Sequence, residues 1–96
     1  MSPALPKNWY YVYLLRSNKK RWIYIGCTGN LEKRLREHQE GKVYSTKTML
    51  PVELIYYEAY CSKEYAYHRE KMLKNFGSGL AKLKLRIGII KEGRAG

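Results

Sequence analysis

Two short runs of aromatic and aliphatic residues, separated by a polar stretch, most constrain how this chain can fold. Residues 9–16 read Trp-Tyr-Tyr-Val-Tyr-Leu-Leu-Arg and residues 22–26 read Trp-Ile-Tyr-Ile-Gly, with Ser-Asn-Lys-Lys-Arg between them. Both runs have strand composition and the stretch between them has turn composition, which predicts an antiparallel hairpin. A two-residue turn centred on Asn18-Lys19 sets Arg16 against Arg21, Leu15 against Trp22 and Tyr13 against Tyr24. Directly opposed residues share a face, so this register predicts two phenols side by side. A bulge or a longer loop would move it by one residue.

After the hairpin, Cys27-Thr28-Gly29-Asn30 breaks the pattern. Asn30 suits the N-cap of a helix over residues 31–40, and Gly41 suits its stop. Residues 42–50 form a basic, hydroxyl-rich loop. Pro51 leads into a third strand over residues 52–60. Ser62 suits the N-cap of a second helix over 63–76, which Gly77 ends, and a shorter helix runs from Leu80 to about Ile89. The order β-β-α-β-α-α predicts an α+β fold, a small three-stranded antiparallel sheet flanked by helices. With 96 residues the chain suits one domain with a thin core. That domain is expected over residues 8–90, with 1–7 and 91–96 as flexible ends.

Charge narrows the partners. Nineteen Lys and Arg against eight acids give a formal charge of +11, which draws polyanions to the surface. Nucleic acid fits better than lipid, since no apolar run approaches the ~18 residues that cross a bilayer. Residues 1–8 lack the apolar stretch of an export signal, so no membrane partner and a cytoplasmic location are expected. Cys27 and Cys61 are the two cysteines, and with two scattered histidines they make a poor zinc set.

The informative residues are polar groups on apolar stripes. On the first helix Leu31, Leu35 and His38 fall on one stripe, and Arg34 joins it by spacing. On the second helix Ala66, Glu70 and Leu73 are spaced i, i+4, i+7, which puts a carboxylate where the helix meets the sheet. A lone buried carboxylate requires a cation, either Arg34 or a divalent metal. Each residue also has a plain reading. Arg34 and Glu70 can be a structural ion pair, His38 a satisfied histidine at the core edge, and Tyr13 and Tyr24 ordinary sheet aromatics among ten tyrosines.

Taken together, Tyr11-Val12-Tyr13, Tyr24-Ile25-Gly26, Arg34 eight residues past that glycine, His38 one turn on, and Glu70 on a later helix resemble the GIY-YIG nuclease superfamily. The resemblance covers about residues 8–89, and is to the small stand-alone members with no separate DNA-binding domain. Superfamily members include DNA repair incision subunits, homing endonucleases and restriction enzymes. The resemblance implies a metal-dependent endonuclease (a hydrolase of nucleic-acid phosphodiester bonds), with Tyr13, Tyr24, Arg34, His38 and Glu70 as catalytic residues. It implies one divalent cation, Mg²⁺ or Mn²⁺, held by Glu70. The first motif departs from the pattern, reading Tyr-Val-Tyr for Gly-Ile-Tyr. The downstream asparagine that some members use has no clear counterpart, since Asn75 follows Glu70 by only five residues.

In that frame Glu70 is the expected single protein ligand of the metal and Arg34 meets charge on the phosphate. Tyr13 is the favoured general base, with Tyr24 placing water or phosphate, and His38 is helper or rival base. Lys42, Ser45, Thr46 and Lys47 are expected phosphate contacts from the loop, and Lys71 and Lys74 from the second helix. Tyr44 could stack on an unpaired base. The expected partner is DNA, single-stranded or structured, with RNA left open. A non-cleaving nucleic-acid module of the same fold is the main competitor. A monomer or weak dimer is expected.

Overall fold

A computed structural model describes residues 8–75 and 77–89. β1 (Tyr10–Ser17) lies between β2 (Ile23–Thr28) and β3 (Val52–Tyr60) and runs antiparallel to both. Tyr11, Val12, Tyr13, Leu14 and Leu15 are all buried, as a central strand covered on both faces must be. α1 (Leu31–Gln39) covers one face, where Leu31 packs with Tyr11, Tyr13 and Leu15. α2 (Lys63–Asn75) and α3 (Gly77–Arg86) cover the other, where Ala66, Leu73 and Leu83 pack with Val12, Leu14 and Ile25. Each fully buried leucine here stabilises the fold by roughly 1.5–3 kcal/mol over its exposed state.

The expected α+β architecture and element order are therefore observed. The hairpin register is not the expected one. Arg16 faces Ile23, Leu15 faces Tyr24, and Tyr13 faces Gly26. The cause is Ser17, whose hydroxyl accepts from the amides of Lys19 and Lys20 (3.0 and 3.1 Å) and donates to the Met49 carbonyl (2.7 Å). Ser17 N–H bonds the Trp22 carbonyl at 3.1 Å, which closes a longer loop than two residues. The slip is by two residues, not one, so every side chain keeps its face. Tyr13 and Tyr24 remain on the same side of the sheet, one diagonal step apart.

A second irregularity lies between Leu14 and Leu15, whose partners on β3 are Tyr56 and Leu54. Ile55 is the extra residue of a bulge. It reverses the alternation of β3, so Val52 and Leu54 pack on the α1 side while Tyr56 and Tyr60 pack on the α2 side.

α1 has both expected ends. The Asn30 side chain accepts from Lys33 N–H at 3.1 Å. Beyond Glu40, Gly41 has φ +76° and bonds the His38 carbonyl, while Lys42 N–H bonds the Glu37 carbonyl. This is the left-handed glycine stop of a Schellman motif. α3 begins at Gly77, where a helix end was expected, and closes at Arg86. Residue 76 and the expected flexible ends, 1–7 and 91–96, lie outside the described residues. No helix among the described residues is long and apolar enough to cross a membrane.

Candidate active site

β2 is an edge strand, and its sequence Tyr24-Ile25-Gly26 brings a second phenol and a gap to that edge. The gap is filled by Tyr13. A Cβ at position 26 would collide with the Cζ and Oη of the Tyr13 ring, so glycine is required there by close approach. The Tyr13 hydroxyl thus lies over the edge strand, and it bonds His38 Nε2 at 2.8 Å. His38 Nδ1 bonds the Thr46 hydroxyl at 2.7 Å. Tyr24 closes the cluster, its ring 6.2 Å from that of Tyr13 and 5.1 Å from that of His38.

Burial decides the protonation of this cluster. Tyr13 is 1% exposed and His38 0%. Desolvation pushes the Tyr13 phenol well above its usual value, aided by Tyr24, and Arg34 works against that rise. Desolvation also drives His38 down to about 4, with the nearby Arg34 charge acting the same way and Glu37 opposing. At neutral pH the pair is a neutral phenol and a neutral imidazole.

Arg34 is one turn before His38, on the margin of α1. Partial burial disfavours its charge, but hydrogen bonds to Glu37 and Tyr13 outweigh this and hold its pKa up. Its Nη1 donates to Glu37 Oε1 at 3.0 Å. Arg34, Glu37, Cys27, Thr28, Asn30 and Tyr67 line an open groove of about 480 Å³ beside the end of β2. Glu70 reaches this edge from α2, on the opposite face of the sheet, and its field acts on both Tyr13 and Cys27. The Cys27 thiol is pushed up to about 11 by burial and then by Glu70, so it is a neutral thiol. The Glu70 side chain is 16% exposed, with Lys74 Nζ at 3.1 Å. Arg34 and Glu70 each pair along their own helix and not with one another, which removes the interhelical ion pair as an account of either.

The donor set constrains any metal. Among the described residues no three His, Cys, Asp or Glu side chains gather as a cage. One carboxylate with a half-exposed lysine partner at an open edge fits a hard cation completed by waters and phosphate oxygens. It does not fit zinc, which takes three or four protein ligands.

The expected phosphate contacts divide. Lys42, Ser45, Lys47 and Lys71 are exposed; Lys42 pairs with Glu40 at 3.0 Å, and Lys47 sits 5.0 Å over the ring of Tyr44, which is 82% exposed. Lys74 is exposed but pairs with Glu70. Thr46 is fully buried on His38 and is not presented to a phosphate. Two features escaped the sequence. Arg16, Lys19, Lys20, Arg21 and Lys84 line an open cleft of about 900 Å³ between the hairpin turn and α3. Residues 17–21 read only as a turn, although their charge run was visible. Glu58 on β3 accepts from both Tyr56 and Tyr60 hydroxyls (2.7 and 2.6 Å) and from Arg69 Nε and Nη2 (both 2.9 Å). The bulge at Ile55, invisible in the sequence, obscured its face.

Comparison with known proteins supplies the family. The chain matches the GIY-YIG catalytic domain over residues 9–78. A UPF0213 protein of Staphylococcus haemolyticus is 42% identical over 77 residues, covering 79% of this chain and 92% of that protein. A UPF0213 protein of Streptococcus pyogenes serotype M5 is 43% identical over 65 residues, covering 67% and 70%. The match spans both tyrosine motifs, the Arg34 helix and Glu70, and membership carries with it nuclease activity on nucleic acid. This chain belongs to the GIY-YIG family.

Proposed function

We propose that this protein is a metal-dependent endonuclease that hydrolyses phosphodiester bonds in DNA with low sequence specificity, acting in the cytoplasm as a monomer or weak dimer. The observation that carries this reading is the Tyr13 phenol, held over Gly26 by His38 at 2.8 Å with Arg34 beside it at the edge of an open groove.

Arg34 binds a non-bridging phosphate oxygen and meets the negative charge that grows there. Glu70 would hold the cation, Mg²⁺ or Mn²⁺, which when bound screens the phosphate and stabilises the leaving oxygen. Tyr13 accepts the proton of the attacking water as its own hydroxyl proton passes to His38 Nε2. In the free protein burial keeps Tyr13 protonated and His38 neutral, so this base is silent until bound charges change the local field. Tyr24, half-buried at the edge strand, places the water or the phosphate. The exposed Lys42, Lys47 and Lys71 and the cleft at the hairpin turn hold the backbone electrostatically, so binding falls steeply as salt rises.

Supercoiled plasmid and single-stranded DNA, incubated with Mn²⁺ and either wild type, Glu70→Ala or Tyr13→Phe, test this reading. Wild type cuts both and Glu70→Ala cuts neither. Cutting retained by Glu70→Ala would place the chemistry elsewhere, and near wild-type rates in Tyr13→Phe would refute its role as base. Matched RNA oligonucleotides in the same assay decide which sugar is tolerated.

A further inference from the structure

We propose that Thr46 is a positioning residue that fixes the tautomer of His38 and thereby turns the Tyr13 hydroxyl proton inward, leaving the phenol oxygen as an acceptor toward Arg34, which lines the groove. The orientation is a property of the folded chain; its catalytic consequence rests on the endonuclease reading above.

The inference follows from counting donors and acceptors. Thr46, His38 and Tyr13 are 0%, 0% and 1% exposed, so their polar atoms depend on one another. The chain of contacts runs Tyr13 Oη, His38 Nε2, His38 Nδ1, Thr46 Oγ1, Val43 O, at 2.8, 2.7 and 3.5 Å across its three bonds. A neutral imidazole carries one N–H, so the whole chain points one way or the other. With the proton on Nδ1, Tyr13 donates to Nε2, Nδ1 donates to Thr46, and Thr46 donates to the Val43 carbonyl. Each proton then has an acceptor within the protein. With the proton on Nε2, the phenol proton needs an acceptor other than His38, its one hydrogen-bonded side-chain acceptor here. Arg34, which can only donate, stands next to the same phenol oxygen. The first arrangement satisfies every group, and it leaves the Tyr13 oxygen lone pairs to face Arg34 and an incoming water.

The loop that carries Thr46 is built to hold it. The Val43 carbonyl accepts the amides of Thr46 and Lys47 at 3.1 and 3.0 Å, and Met49 N–H bonds the Thr46 carbonyl at 2.9 Å. These bonds close a tight turn directly after the Gly41 stop of α1, the helix that carries His38. Tautomer control by a partner on the far ring nitrogen is a general device, and at metal-bound histidines removing such a partner typically lowers activity roughly tenfold to a hundredfold, the scale adopted for His38.

The test is long-range ¹H–¹⁵N NMR of the histidine rings in metal-free, DNA-free protein, with exposed His68 as the internal reference for an unconstrained ring. Wild-type His38 should show protonation at Nδ1, as should Thr46→Ser. Thr46→Val, which keeps the volume but removes the acceptor, should move the proton to Nε2. It should also lower kcat roughly tenfold to a hundredfold without changing KM, while Thr46→Ser stays close to wild type. Protonation at Nε2 in the wild type overturns the proposal without any variant having to fold. So does a Thr46→Val protein with the wild-type tautomer or the wild-type kcat. A wild-type protein that cuts no nucleic acid overturns the endonuclease reading instead, and the ring spectra tell the two failures apart.

Discussion

On the α2 side of the sheet, Glu58 sits among Tyr56, Tyr60 and Arg69; on the α1 side and around the β2 edge, Tyr13 and Tyr24 sit with His38, Arg34 and Glu70. Both clusters combine phenols, a guanidinium and a carboxylate, yet they are finished differently. Both Glu58 oxygens are engaged, each by one tyrosine and by one arm of the Arg69 guanidinium. Burial alone would raise its pKa, but Arg69, Tyr60 and Tyr56 outweigh it and hold the carboxyl below its ordinary value. The same carboxylate raises both phenols after burial has done so, each to about 12. Both carboxylate oxygens of that cluster are taken up within the protein. In the other cluster the carboxylate has a lysine partner, the guanidinium is 39% exposed, and a groove opens beside it. A closed network holds two elements together; an open one keeps binding capacity in reserve.

The sharpest way to break this contrast is to remove each carboxylate or guanidinium in turn. Glu58→Ala leaves Arg69 and two phenols without their acceptor and should cost about 3 kcal/mol, the low end for a buried pair because Arg69 is partly exposed. Chemical denaturation measures it, and cleavage per folded molecule should stay near wild type. A fully active, fully stable Glu58→Ala would show that the network is not structural. Arg34→Ala should do the reverse, lowering kcat/KM roughly a hundredfold while stability moves by no more than about 0.5 kcal/mol. Equal loss of stability and activity would erase the distinction.

Acid sharpens the comparison further. His38 is held down to about 4 from its ordinary 6.5, so between those values the unfolded chain binds more protons than the folded one. Stability should therefore fall as pH drops from about 6.5 through 4, by roughly 3 kcal/mol, and this contribution should level off below that. Glu58 has a depressed pKa, so its share persists above the ordinary carboxylate value and is lost only as pH falls below it. Denaturation midpoints of His38→Gln across this range should lack the upper phase and keep the lower one. An unchanged upper phase would assign the acid sensitivity to another group.

Much of the molecule was legible from local chemistry. Asn30 and Gly41 bracket α1 as their side-chain and backbone properties require, and the span of β3 follows from its composition. Ala66 and Leu73 are buried on their stripe, and Glu70 is partly buried between them, as its spacing required. The hairpin register was misread because Ser17, counted as a turn residue, captures two amides and lengthens the loop. Thr46 was misread because a threonine in a basic loop looks the same whether its hydroxyl meets solvent or a buried histidine 8 residues earlier.

Periodicity, capping residues and charge are properties of neighbouring residues, and so the sequence alone determined the element order, the ends of α1, the polyanion preference and the family motifs. The collision that demands glycine at 26, the neutral state of His38, the partner of Thr46 and the closure of the Glu58 network depend on residues that meet only after the sheet forms and its helices pack. Tertiary structure decided these because desolvation and hydrogen-bond direction act over a few ångströms in space, whatever the separation along the chain.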